Sequence, residues 1–328
     1  QTCALPISLK KRTEADINYL NSLNFSTDYL LKNFRQRVGL VTHDTRELQN
    51  RAVSGGGYIY ALCPITGQIL QSNQSIPVSL SVVFHRFVGA KVFYLMTANI
   101  GGGCPKDALY FPENELVIRY ESHRYGFTKI HVIILKASIV NFAEDFFHYF
   151  SGASSKKVAA LIGHPNFAHH IWNELSALYR LKQKRILKKI DKLFVLRETL
   201  GKIRHIFPEL SNNKVQTIDK PLCFDKEILT FLDGIEPIAP SIISEMLKNN
   251  YCFINLADTF IPNGLTHRLY RVAKQAANSR TLEIIDQAQK QCFPLIWLSI
   301  RTQDRTWTQQ TEGLTNIINS LSAKFPKL

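Results

Sequence analysis

After the polar break "SGASSKK" the chain alternates short apolar runs with helical patterns, and that order is the strongest constraint on its fold. "VAALIG" reads as a buried strand, Asn166 to Leu181 as a helix and "KLFVL" as the next strand. Strand, helix, strand, helix in sequence demands a layered α/β unit, because parallel strands pair only through crossovers that cover the sheet. "YCFINLADTFI" reads as a further strand ending on a polar edge, with Thr266 as the N-cap of a helix through "HRLYRVAKQAA".

The region before that break is different. Between Gly55 and Lys136 the runs "YIYALCP", "GQILQSN", "VSLSVVFHRF", "KVFYLMTANI", "ELVIRYES" and "KIHVIIL" are β-rich and separated by Gly, Pro and Asn, which predicts a mainly antiparallel meander. Ahead of it a single helix is predicted around Glu14 to Arg37. Gly55-Gly56-Gly57 and Gly101-Gly102-Gly103 fit neither a dinucleotide fingerprint nor a P-loop and read as turns.

Both ends carry their own expectations. The opening QTCALPI resembles a translated sequencing adapter and no initiating Met stands before it, so residues 1–7 are expected to be non-native and the natural chain to begin earlier. At the other end "PLIWLSI" predicts a buried strand, and Leu314, Ile317, Ile318, Leu321 and Phe325 share one helical face. Thr306 with Gln309 forms a capping box for that helix. A lone βα unit builds no parallel sheet. It either docks on the preceding sheet or opens a second domain that has been cut away.

Several classes are set aside by composition. Hydrophobic residues at 45% and charged residues at 20% suit a globular chain and oppose disorder. No uncharged apolar stretch approaches the ~18 residues of a membrane span. Cys3, Cys63, Cys104, Cys223, Cys252 and Cys292 never form C-x-x-C, which opposes a zinc knuckle or a disulfide framework and suits a reducing cytoplasm. The formal charge of +14 calls for an anionic partner, whether nucleic acid, a lipid surface or a phosphorylated small molecule. "RLKQKRILKKIDK", with seven Lys or Arg, reads as a solvated helix end, and attachment to an anionic membrane leaflet is the next reading.

Chemistry concentrates in "IGHPNFAHHIWNELSAL". On a helical wheel Phe167, Ala168, Ile171, Trp172, Leu175, Leu178 and Tyr179 form the core face, with His169, Asn173, Ser176 and Arg180 opposite and His170 beside Glu174 at the edge. His164 lies in the loop before the helix. Three readings stay open: a metal site, which lacks H-E-x-x-H spacing; a solvated helix face; and a catalytic histidine able to take a proton from a hydroxyl near neutral pH. After "PLIWLSI" come Arg301, Asp304, Arg305 and Thr306. Forked guanidinium donors beside a helix start make a diphosphate cradle. The alternative there is surface pairing of Asp304 with Arg301 or Arg305.

The run Asn166-Phe167-x-His169-x-Ile171-x-x-x-Leu175-x-x-Leu178 is similar to the N-[YF]-x-H-W-L-x-[DE]-x-L-P-x-L segment of glycosyltransferase family 61 and related capsular-polysaccharide transferases. His170, Asn173 and Ser176 stand where that family has an aromatic, an acid and a proline. The resemblance implies a GT-B fold: a β-rich N-terminal region (residues 8–150), a Rossmann-like α/β part of the acceptor-side domain (151–290) and the start of a truncated donor-binding domain (291–328). It implies a nucleotide-sugar donor as co-substrate with no further cofactor and no metal, and a saccharide or glycoconjugate acceptor in cell-surface polysaccharide biosynthesis. His169 becomes the candidate base, with His164 its rival and Asp258 an outside candidate. Asn166, His170 and Asn173 are expected near substrate, and Arg301, Arg305 and Thr306 on the diphosphate. The enzyme is expected in the cytoplasm, with peripheral membrane contact and no nucleic acid partner, and the 328 residues alone are expected to be inactive. The competing class is a non-enzymatic basic binder of saccharide, nucleic acid or membrane.

Overall fold

The computed structural model describes residues 5–99, 106–121, 125–152, 155–218, 237–290 and 310–324. The chain forms two compact units, Gln1–Leu269 and Tyr270–Leu328.

In the first unit, β1 (Leu5–Ser8) runs parallel to β8 (Leu116–Arg119) at the edge of a six-stranded sheet, with Ile7 buried. Residues set aside as non-native in the sequence thus supply part of an edge strand. The single helix expected over Glu14 to Arg37 is two helices, α1 (Glu14–Ser22) and α2 (Thr27–Arg35). Asn24 between them adopts φ 61°, a left-handed conformation that stops a helix, and Ser26 caps the second. Next comes α3 (Thr45–Ser54), capped by Asp44.

The antiparallel expectation holds for β2 (Ile59–Leu62) with β3 (Ile69–Ser72), and for β4 (Ser75–Ser79), β5 (Val82–Val88), β6 (Val92–Ala98) and β7 (Lys106–Phe111) leading into β8. "KIHVIIL" does not join them: it lies inside α4 (Tyr125–Asn141). Its buried positions Thr128, His131, Val132 and Leu135 fall at i, i+3, i+4 and i+7, whereas Ile133 and Val140 are exposed. Apolar residues on both faces hid that period in the sequence. Helix α5 (Ala143–Ser151) follows.

Beside the six-stranded sheet and the separate two-stranded β2–β3 sheet, a four-stranded sheet is wholly parallel: β9 (Lys157–Ile162), β10 (Lys192–Val195), β11 (Val215–Thr217) and β12 (Tyr251–Ile254), in the order β11-β10-β9-β12. The chain steps outward from β9 to β11 and then returns to the other side of β9. Strand order therefore reverses between β9 and β12, and the carboxyl ends flanking such a reversal are where open α/β sheets bind ligands. The β9–β10 crossover comprises a short α-helical turn, α6 (Phe167–His169), a π-helical stretch (His170–Leu175) and α7 (Ser176–Gln183). Then come α8 (Ile203–Ile206) and, before β12, α9 (Pro240–Asn249).

One core joins the six-stranded sheet to the parallel one. Phe84, Met96 and Tyr110 from the large sheet pack with Ala159, Leu161, Phe194 and Phe253 from the parallel one and with Ile242 and Met246 of α9. The molecule is mixed α/β, as its patterning predicts.

Helix α10 (Asn263–Ala276) opens earlier than expected. The carbonyl of Pro262 accepts from the amides of Leu265 and Thr266, so Thr266 lies in the first turn instead of capping it. The second unit contains α11 (Ser279–Lys290), where the Asn278 side chain accepts from the Thr281 amide at 2.9 Å, and α12 (Gln310–Lys324). The helix predicted around Leu314 to Leu321 is thus present. "PLIWLSI", Arg301, Arg305, Thr306, Gln309, Phe325 and the second glycine triplet lie outside the described residues. No described helix is long and apolar enough to cross a membrane.

Candidate active site at the end of the parallel sheet

Strand β9 leaves the sheet through Gly163, whose φ is 117°. A Cβ there would lie 2.4 Å from the Arg197 amide nitrogen, so glycine alone lets the β9 and β10 exits lie this close. The turn is then tied to the helix that follows. Glu174 Oε2 accepts from the amides of Gly163 at 2.9 Å and His164 at 3.1 Å, and meets His170 Nδ1 at 2.5 Å.

This clamp corrects two expectations. His170 and Glu174 are each only 1% exposed, so His170 holds the loop through Glu174 and is not available to substrate. The helical wheel also put the wrong face inward. Phe167 and Trp172 are 60% and 52% exposed, whereas Asn173, Ser176 and Arg180 are buried alongside the expected Leu175, Leu178 and Tyr179. The π-helical stretch is the reason, because one extra residue in a turn rotates everything after it by about 100° relative to an α-helix. The Ser176 hydroxyl donates to the Ile171 carbonyl at 2.8 Å within that stretch.

The inward polar face finds its partners on the β12 exit. Asn173 Nδ2 donates to the Asp258 carbonyl at 2.8 Å. The Asp258 carboxylate is buried: Oδ2 pairs with Arg180 Nη1, while Oδ1 accepts from Arg46 Nη2 at 2.9 Å and the Thr259 amide at 2.8 Å. Gln49 completes the network, accepting from Arg180 Nη2 at 2.7 Å and donating to the Ala257 carbonyl at 3.0 Å. With both oxygens held by cations and an amide, Asp258 anchors the loop and is not a free base. Arg180, expected on a solvated face, is its buried counter-ion.

Two imidazoles remain half-buried beyond the carboxyl end of β9, His164 and His169, with ring centroids 4.9 Å apart. His169 Nδ1 lies 3.0 Å from Asn173 Oδ1. Because Asn173 spends its amide N–H on the Asp258 carbonyl, its oxygen must be the group facing His169 and can only accept. In neutral His169 the proton therefore sits on Nδ1, and Nε2 carries a bare lone pair. That is the form a general base requires. His164 is bound differently: its Nδ1 faces the Asn166 amide at 3.1 Å. Asn166 also caps the helix, its Oδ1 accepting from the Ala168 amide at 3.0 Å.

Of the residues singled out in the sequence, His164, Asn166, His169, His170, Asn173 and Asp258 are thus gathered around the β9 and β12 exits. Gly163, Glu174, Arg46, Gln49 and Arg180 were not recognised as site residues. The first two carry local signals, a glycine between strand and helix and a His-Glu pair four apart; Arg46 and Gln49, from α3, carry none. Among the described residues no three His, Cys, Asp or Glu side chains come together as a metal set.

The chain is thus an α/β protein with an imidazole pair at the topological switch point of its parallel sheet. Comparison with family models finds no match, and comparisons with curated proteins and with solved structures find none either.

Proposed function

We propose that the protein is a glycosyltransferase that moves a sugar from a nucleotide donor to a saccharide or glycoconjugate hydroxyl in cell-surface polysaccharide assembly. In this reading it adopts a GT-B arrangement like that of glycosyltransferase family 61. The observation that carries it is His169, its Nε2 lone pair left bare by the Asn173–Asp258 relay at the carboxyl end of the sheet. The acceptor oxygen attacks the anomeric carbon, its proton passes to His169 Nε2, and the bond to the diphosphate breaks with its electron pair on the leaving group. Arg301, Arg305 and Thr306 are proposed to hold that diphosphate as its charge grows. No cofactor beyond the donor enters this chemistry.

The test is sugar transfer from UDP- and GDP-linked donors by the full-length protein. His169→Ala is expected to lower turnover by roughly 10²- to 10⁴-fold, the usual span for a lost general base. Unchanged turnover after replacing both His164 and His169 overturns the assignment.

The charge of +14 favours a second reading, a basic binder without catalysis. It is supported instead if the protein ignores nucleotide sugars and binds arbitrary DNA with an affinity that falls steeply with salt.

A further inference from the structure

His164 and His169 are held in opposite neutral tautomers. A backbone amide can only donate, so the Asn166 N–H requires a lone pair on His164 Nδ1, and the ring proton must then sit on Nε2. His169 is the reverse, with its proton on Nδ1 and a bare Nε2. The His164 backbone is fixed on both sides: its amide donates to Glu174 at 3.1 Å and its carbonyl accepts from Thr199 Oγ1 at 3.0 Å. Burial draws the His164 pKa below the ordinary imidazole value, Glu174 opposes that and His169 adds to it. The ring is therefore a neutral donor near pH 7. As a rival base it is excluded, because no lone pair is free.

We propose that His164 is a second catalytic residue: its Nε2–H binds the hydroxyl oxygen adjacent to the one His169 deprotonates, so the acceptor is a sugar carrying a vicinal diol. This rests on the transfer reading above. Oxygens on neighbouring carbons are spaced by about a hydrogen-bond length, ~2.8 Å, which suits one lone pair and one donor on rings whose centroids are 4.9 Å apart. A lone hydroxyl engages His169 and leaves the His164 donor without a substrate partner.

The experiment is a cycle between enzyme and substrate. The full-length protein is assayed with a methyl glycoside acceptor and with its analogue lacking the neighbouring hydroxyl, in wild type, His164→Asn and His164→Gln. Asparagine places its amide where Nδ1 was and supplies nothing at Nε2, whereas glutamine restores an N–H there. Removing the neighbouring hydroxyl is expected to cost the wild type ~10- to 100-fold in kcat/KM, as for a hydrogen bond strengthened by developing charge. It should cost His164→Asn nothing further, and His164→Gln should recover most of the loss. If the two losses multiply, or if glutamine and asparagine are equally impaired, His164 does not contact the diol. A separate arm reads the His164 ring nitrogens by long-range 1H–15N correlation above the histidine titration range. Protonated Nε2 supports the donor even if no nucleotide sugar is turned over, which is then a failure of the transfer reading alone; protonated Nδ1 overturns the donor assignment.

Discussion

Single residues at this site are constrained by what their partners can accept. Gly163 shows it in the backbone: with φ at 117° and the Arg197 nitrogen 2.4 Å from where a Cβ would stand, Gly163→Ala must displace the β9 exit. A loss of about 2 kcal/mol or more is expected, visible as a lower denaturant midpoint at unchanged slope. His85 shows it in protonation. The Thr97 hydroxyl donates to the Val83 carbonyl at 3.1 Å, so His85 Nε2, 3.2 Å away, must supply the hydrogen between them. Burial depresses the His85 pKa to about 3. Its unfolded value is near 6.5, so the unfolded chain binds the extra proton first as pH falls. The stability that depends on neutral His85 is complete above about pH 6.5 and drains away toward pH 3, at about 1.4 kcal/mol per pH unit. Thermal melts between pH 7 and pH 4 should show that slope, and His85→Gln should flatten it. Equal slopes in both proteins contradict the burial argument.

The histidine-bearing helix illustrates at the scale of an element what a sequence can disclose. Its existence, its span and the His170–Glu174 pairing four apart were all legible from spacing. Its orientation was not, since wheel arithmetic assumes an unbroken α-helix and the π-helical stretch from His170 to Leu175 shifts the phase. The polar residues turned inward because the β9 and β12 exits offer an amide pair, a carbonyl and a carboxylate to satisfy them. "KIHVIIL" failed for a different reason, because apolar residues lie on both its buried and its exposed face. Side-chain truncation separates the two orientations of the helix. Trp172→Ala, on the exposed face, should change stability by less than about 1 kcal/mol, while Leu175→Ala, fully buried, should cost about 2–5 kcal/mol. The reverse order in equilibrium unfolding restores the simple wheel.

For the first unit, the decisive fact is that its six-stranded and its parallel sheet share one core. Phe84 of the meander and Phe253 of the parallel sheet belong to the same packed cluster, so neither sheet buries its apolar face alone. Phe253→Ala, on β12, should therefore reduce hydrogen-exchange protection in β5 as well as in β9, by a common free energy of about 3–5 kcal/mol. Loss confined to the parallel sheet indicates two separately stable layers. The change from β-rich to βα order was readable from the sequence, whereas the shared core was not, because long-range packing leaves no local period. The switch point follows from the returning path of β12, and that path brings the Asp258 carbonyl to Asn173, whose oxygen in turn faces His169.

That relay is most directly tested by the ring nitrogens of neutral His169, read by 15N shifts in the wild type and in Asn173→Leu. A protonated Nδ1 with a bare Nε2 is expected in the wild type, giving way to a mixture of tautomers once the Asn173 oxygen is removed. A wild-type ring protonated on Nε2, unmoved by the substitution, contradicts His169 as the proton acceptor.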